Sequence, residues 1–394
     1  MAFSRQLTST EKIYVASDHI LPPCVNTIIL EGMGQWDPEE WARALSKAGK
    51  ANPGSRLVMK SSFLGGQWVD SGRPPALSVV DGSSWTGYTP ENAPFLTEPL
   101  RAKKGPTCEV VLIKGDPLRI AFRSHHAVMD GMGTILWMQD IFRALRGESL
   151  LGYPSRLTEF RLARSFQKKG RTPAPHHFPA LTGKVMGDEP GSRWLRVTIP
   201  GQIRRILPRI AWILANEIWL ANYHGCPVRF AVPVNMRPRG DNILSTGNLS
   251  NLIYLDITPD STPETIAGDI KTQLANKHDG MLYWGDRFIR YFPLPLIENA
   301  MKKEIKAKQD TNLYRNSGII SNVGTVPLED LAGGGFRTTN ITGLPIGMGS
   351  LPFFLGIIGT TERTELIMGM ANNLANGGRL EKILPKIADQ LSSI

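Results

Sequence analysis

The stretch from Glu109 to Gly147 constrains the fold most tightly, because its hydrophobic period changes part-way along. Glu109 to Lys114 and Leu118 to Arg123 read as strands joined by Gly115-Asp116-Pro117, a turn-forming trio, and predict a hairpin. From Gly133 to Arg146 the apolar residues Ile135, Met138, Phe142 and Leu145 share one helical face, and Gly147 ends that helix. Between strand and helix lies Ser124-His125-His126-Ala127-Val128-Met129-Asp130-Gly131. A turn of this kind exposes a side chain while its backbone stays anchored. An imidazole held there can be neutral near pH 7 and still accept a proton, as a general base must.

The rest of the chain alternates strands and helices, which predicts α/β layers in each half. Val25 to Leu30 reads as a strand, and Pro38 to Ala48 as a helix with Asp37 as its cap and Pro38 at its first position. Gln167 to Ser192 is rich in Lys, Arg, Pro and Gly, and predicts a crossover between an N-terminal lobe, 1–170, and a C-terminal lobe, 193–394, with the linker at 171–192. The second half offers helices at Ile203 to Tyr223, after Ser261-Thr262-Pro263-Glu264, at Pro295 to Lys308 and at Arg379 to Leu391. Its strands are expected at Val228 to Pro233, Leu252 to Ile257, Gly318 to Val323, Phe353 to Gly359 and Glu365 to Met370. The Ser261 to Glu264 spacing is that of a capping box.

With 394 residues, 41% of them hydrophobic and 20% charged, the chain can bury two cores. The cysteines Cys24, Cys108 and Cys226 are odd in number and scattered, which argues against a disulfide framework or a zinc site and for a reducing, cytoplasmic location. Met1 to Lys12 is polar, so no secretory signal is expected there, and the most apolar stretch, Ile203 to Tyr223, carries too many charges to span a membrane. The net charge of +10 suits a nucleic acid, an anionic membrane surface, an acidic or phosphorylated carrier, or simply a solvated basic surface. Scattered basic residues and the lack of any zinc-finger or RNP-like pattern set nucleic acid aside.

No P-loop, G-x-S-x-G elbow or H-E-x-x-H helix is present, and no metal is expected. A second histidine pair, His176-His177, has no Asp-Gly partner, no preceding strand and no following amphipathic helix, so it carries little chemical expectation.

The segment His125 to Gly131 resembles the HHxxxDG signature of the condensation-domain and coenzyme A-dependent acyltransferase superfamily, whose members include chloramphenicol acetyltransferase and the wax ester synthases. Further segments agree in order: Leu7-Thr-Ser-Thr-Glu11, Pro233-Val-Asn-Met-Arg237-Pro-Arg239, Gly247-Asn248 and Ser321-Asn322-Val323-Gly324. The resemblance implies a chloramphenicol acetyltransferase-like pseudo-dimer of two mixed-sheet lobes with a tunnel between them. It also implies His126 as general base, with His125 in support and Gly131 serving a close turn. Asp130 is then a structural partner of an arginine, for which Arg237 is the candidate. Ser321 and Asn322 would line the tunnel or hold the acyl carbonyl.

The implied reaction is acyl transfer from a phosphopantetheine thioester, with no permanently bound cofactor, to a small-molecule amine or alcohol in secondary metabolism. The thioester is carried by an acyl or peptidyl carrier protein or, alternatively, by coenzyme A. A non-catalytic module that binds a carrier protein is the reading of another class. The DFGWG-like segment of condensation domains has no good counterpart; Gly343-Leu-Pro-Ile-Gly-Met-Gly349 is nearest in place but not in type, which keeps a simpler acyltransferase open.

Overall fold

The computed structural model describes residues 3–62, 65–172, 175, 177–283, 285–345 and 351–393. The hairpin predicted at Gly115-Asp116-Pro117 forms, and it lies inside a six-stranded mixed sheet. Across that sheet the order is Ala332–Gly333, Phe336–Leu344, Val25–Gly34, Leu118–His125, Cys108–Lys114 and Ala76–Asp81. Helices Pro38–Ala51 and Gly131–Leu145 bury Trp41, Leu45, Met138 and Phe142 against Leu112, Ile120 and Phe122 of this sheet. The rings of Trp41 and Phe142 meet edge-on at 5.5 Å.

A second six-stranded mixed sheet runs Ser192–Pro200, Arg363–Ala371, Phe354–Gly359, Gly318–Thr325, Val228–Asn235 and Ser250–Ile257. Helices Ile206–Ala221 and Arg379–Ser392 cover it with Ile210, Leu214, Ile218, Leu384 and Ile387. The expected α/β arrangement of two mixed-sheet lobes with flanking helices is present. Among the described residues no helix is long and apolar enough to cross a membrane.

Three local expectations shift. The capping box of helix Pro263–Ala275 is Thr262 with Thr265, one residue on from Ser261 and Glu264, because Pro263 at the first helical position makes Thr262 the cap. The apolar helix starts at Ile206, since Arg205 is left-handed (φ 52), and Pro208 sits in its first turn, where no N–H is needed. Much of 171–192 is docked rather than loose. Arg171 donates to the carbonyls of Leu252 and His278 (both 2.9 Å) and lies 4.7 Å over the Tyr254 ring, while Phe178–Pro179 pairs with Leu313–Tyr314. Pro173, Ala174 and His176 lie outside the described residues, as do Ile346 to Gly349 of the Gly343 to Gly349 segment.

The chain also crosses back. Strand Phe336–Leu344 pairs with Val25–Gly34, so residues 332–344, assigned by sequence to the C-terminal lobe, add to the first sheet. Here the two sheets are joined by a buried ion cluster. Arg196 of the second sheet pairs bidentately with Glu31 of the first (2.9 and 2.8 Å) and with Glu365 of its own (2.8 and 2.9 Å). Asn340, on the crossing strand, donates to both carboxylates, at 3.1 Å to Glu31 and 2.7 Å to Glu365. Arg119 adds a contact of 3.2 Å to Glu31.

Candidate active site

Strand Leu118–His125 reaches its end paired with Val25–Gly34, and His125 lies opposite Val25. The next peptides are tied down from neighbouring elements: the His125 N–H donates to Thr107 O at 2.8 Å and the His126 N–H to Cys24 O at 2.9 Å. The turn closes on itself, with the Val128 N–H donating to His125 O at 2.8 Å. Asp130 then caps helix Gly131–Leu145, its Oδ1 accepting from the Gly133 N–H at 2.7 Å. The spacing from His126 to Asp130 is thus one tight turn from strand end to helix cap.

Arg237 lies flat against Asp130. Its Nη1 meets Asp130 Oδ2 at 3.1 Å and its Nη2 meets Oδ1 at 3.0 Å. The remaining N–H groups reach Ser245 O (2.9 Å), Asn235 Oδ1 (3.0 Å) and Gly247 O (2.6 Å), and Leu249 N–H donates to Asp130 Oδ2 at 2.8 Å. Both charges are buried, and each is occupied by the other, by backbone groups and, for Arg237, by the Asn235 side chain. The pair couples the motif turn to the loop before strand Ser250–Ile257. Asn248 adds to this link by donating its Nδ2–H to His126 O at 2.9 Å.

The crowded glycine is Gly133, not Gly131. A Cβ on Gly133 would lie 1.9 Å from the Thr246 carbonyl oxygen, whereas one on Gly131 would meet nothing within 4 Å. Gly133→Ala is therefore expected to destabilise the chain by about 1–3 kcal/mol. Gly131→Ala should stay within about 1 kcal/mol of wild type. Urea denaturation of both variants checks this; equal midpoints would contradict the close approach at Gly133.

The two histidines differ in surroundings. His125 is fully buried; its Nδ1 accepts from the Ala127 N–H at 3.1 Å and its Nε2 lies 3.6 Å from Asp18 Oδ2. His126 retains partial solvent access, although its ring sits deep among protein atoms. Its Nδ1 lies 3.2 Å from Met129 O, and a carbonyl only accepts, so Nδ1 carries the proton and Nε2 keeps its lone pair. Met129 O is itself fixed by Asn26 Nδ2 at 2.7 Å. One face of the ring stacks on Tyr14, with centroids 3.9 Å apart and planes at 12°. Burial lowers the His126 imidazole to about 4, against the opposing pull of the Asp130 charge, so the ring is neutral at physiological pH.

Ser321 and Asn322 stand on strand Gly318–Thr325, where Asn322 Oδ1 is taken up by the Gly324 N–H at 3.0 Å. Asn322 lines a cleft of about 250 Å³ with Gln202, Arg205 and Thr360, and neither His125 nor His126 belongs to that lining. Tyr14, Asn26 and Asn248 are the neighbours of His126 that sequence reading did not single out for it. A Thr8-x-x-Glu11 capping box announces the helix that carries Tyr14, and it forms as such. Nothing local says which way Tyr14 faces.

No protein-family model matches the sequence, and no curated protein matches it. Solved structures do resemble it in fold. The starter condensation domain of rhizomide synthetase RzmA, as a mutant in complex with C8-CoA and Leu-SNAC, has a TM-score of 0.67 at 13% identity, over 99% of this chain and 94% of that one. For the condensation domain of the Monacolin K polyketide synthase MokA the TM-score is 0.66 at 13% identity, over 99% and 97% of the two chains. For the first condensation domain of the calcium-dependent antibiotic synthetase, in complex with a substrate analogue, it is 0.67 at 14% identity, over 99% and 95%. The likeness spans nearly the entire chain, and both lobes together have the condensation-domain fold.

Proposed function

We propose that the chain catalyses thioester-dependent acyl transfer to an amine or hydroxyl, with His126 as general base, in secondary metabolism. The carrying observation is the 3.2 Å contact of His126 Nδ1 with Met129 O, a carbonyl that can only accept, which assigns the proton to Nδ1 and the free lone pair to Nε2 on a partly accessible, neutral ring. Nε2 takes the proton of the acceptor N–H or O–H as that atom attacks the acyl carbonyl carbon. The tetrahedral oxyanion then collapses, the carbon–sulfur bond breaks, and the imidazolium returns its proton to the leaving pantetheine thiolate. Asp130 and Arg237 act as a brace for the turn and take no proton.

In this reading the donor is a phosphopantetheine thioester on a carrier protein or on coenzyme A, in a passage between an N-terminal lobe, 1–170, and a C-terminal lobe, 193–394, with residues 332–344 returned to the first sheet. The fold likeness to condensation domains, one of them in complex with C8-CoA, supports it. His125 would support the turn, and Ser321 and Asn322 would line the tunnel or hold the acyl carbonyl.

The pH–rate profile tests the reading, with one acyl group offered both on coenzyme A and on a carrier protein. With the imidazole lowered to about 4, the rate is expected to stay level down to about pH 5 and to fall below that as Nε2 is protonated. An acid limb centred on the ordinary imidazole value of 6.5 would contradict a buried neutral base.

A further inference from the structure

The short segment from Cys24 to Asn26 makes three separate contacts with the motif turn. Cys24 O accepts the His126 N–H at 2.9 Å, Val25 pairs with His125 across the sheet, and Asn26 Nδ2 donates to Met129 O, the carbonyl that meets His126 Nδ1. The imidazole is therefore only as fixed as this segment. Its first N–H, that of Cys24, donates to Asp18 Oδ1 at 2.8 Å. Asp18 stands near the end of helix Ser9–Ile20, one turn after Tyr14, so both side chains leave the same helix face. Tyr14 stacks on the His126 ring, and Asp18 Oδ2 lies 3.6 Å from His125 Nε2.

The contact with His125 has a definite polarity. His125 Nδ1 accepts from the Ala127 N–H, which leaves the ring proton on Nε2. That N–H is buried and makes no hydrogen bond among the described residues, and the Asp18 carboxylate is the anion beside it. A buried donor with no counterpart at all would cost free energy, so the carboxylate is the group that makes this ring orientation tolerable. Burial alone would raise the Asp18 carboxyl, but the neighbouring His125 imidazole and the Cys24 N–H hold it below the ordinary carboxylate value, so it is ionised. The other titratable groups around the two rings are Asp130, paired with Arg237, Tyr14, Cys24, and the more exposed His19 with its partner Glu298.

We propose that Asp18 is a positioning residue for the motif turn, one carboxylate oxygen fixing the Cys24 to Asn26 segment that holds His126 and the other fixing the His125 ring. The proposal rests on the acyl-transfer reading, in which His126 is the base. Asp18 touches no reacting atom and moves no proton. Its effect reaches His126 Nε2 through the Cys24 peptide, and a base displaced from its line to the acceptor loses rate steeply. Asp130 and Arg237 act from the other end of the turn: that pair secures the helix cap, whereas Asp18 secures the strand end.

Long-range proton–nitrogen NMR of the full chain with isotope-labelled histidines, together with steady-state kinetics, tests the assignment. In wild type, His126 should appear as the Nδ1–H tautomer and His125 as the Nε2–H tautomer. Asp18→Ala removes both contacts and should leave His126 a mixture of tautomers. Because a loosened ring admits water, its titration midpoint should also move up from about 4 towards 6.5. In the same variant kcat should fall by about 10- to 100-fold, with KM within about twofold of wild type. Asp18→Asn still offers Oδ1 to the Cys24 N–H but turns an N–H towards His125 Nε2, so it should alter the His125 signals and leave the His126 tautomer in place. A His126 tautomer and a kcat both unchanged in Asp18→Ala overturn the proposal, even if the melting temperature drops, since a purely structural role would do only that. The spectra need no substrate: a wild type that transfers no acyl group, with His126 released in Asp18→Ala, keeps the positioning assignment and sinks the acyl-transfer reading.

Discussion

Replacing His126 with alanine is expected to lower turnover by about 10²- to 10⁴-fold while the fold stays intact. The reason for separating the two effects is structural. The residue is held through its backbone, by Cys24 O on its N–H and by Asn248 on its carbonyl, and alanine keeps both contacts. What the substitution removes is the ring, its Nδ1 contact to Met129 O and its stack on Tyr14. No buried ion pair depends on that ring, so no charge is stranded. The loss should therefore fall on kcat, with the cooperative unfolding transition retained and a stability cost of about 1–3 kcal/mol for the lost ring packing. A variant with wild-type kcat would remove the base from His126.

The largest stability effect is expected far from the motif. Arg196→Met should destabilise the chain by about 3–5 kcal/mol, because it leaves two buried carboxylates facing one another without their shared counter-charge. Glu365 is fully buried and Glu31 nearly so. The double variant Arg196→Met with Glu365→Leu should lose less than the sum of its parts, since one stranded charge goes with its partner. Urea denaturation reads both, and a single variant within about 1 kcal/mol of wild type would contradict the clamp. The pH dependence has a definite sign. Burial alone would raise the Glu31 carboxyl, but the hydrogen bond and charge of Arg196, with Asn340 and Arg119, bring it down to about 2 from 4.5. Its contribution to stability is then complete above pH 4.5 and is lost as pH falls towards 2.

Features set by local chemistry were legible in the sequence. The hairpin, the strand-turn-helix around His126 and the amphipathic helix after it rest on turn residues and on a change of period, and all of them form. The contact between Asp130 and Arg237 spans 107 residues, and only the family resemblance pointed to it. Tyr14 over His126, Asn248 on its carbonyl and the Arg196 cluster were not legible, because each depends on how separate elements face one another. The crossing strand Phe336–Leu344 was missed for a similar reason: edge and partner are decided by register against Val25–Gly34, which composition does not encode. The basic Gln167 to Ser192 stretch looked like free linker because arginines stacked on aromatic rings and bonded to carbonyls read, in sequence, as solvated charge.

The central claim is tested most directly by intact-mass analysis of reactions in which wild type and His126→Ala are each given acyl-coenzyme A and acyl-carrier donors with a mixture of amines and alcohols. Wild type should give a product heavier than one acceptor by the acyl group, with free thiol released, and the variant nearly none. Equal product from both proteins, or none from wild type with any donor and acceptor, would contradict it.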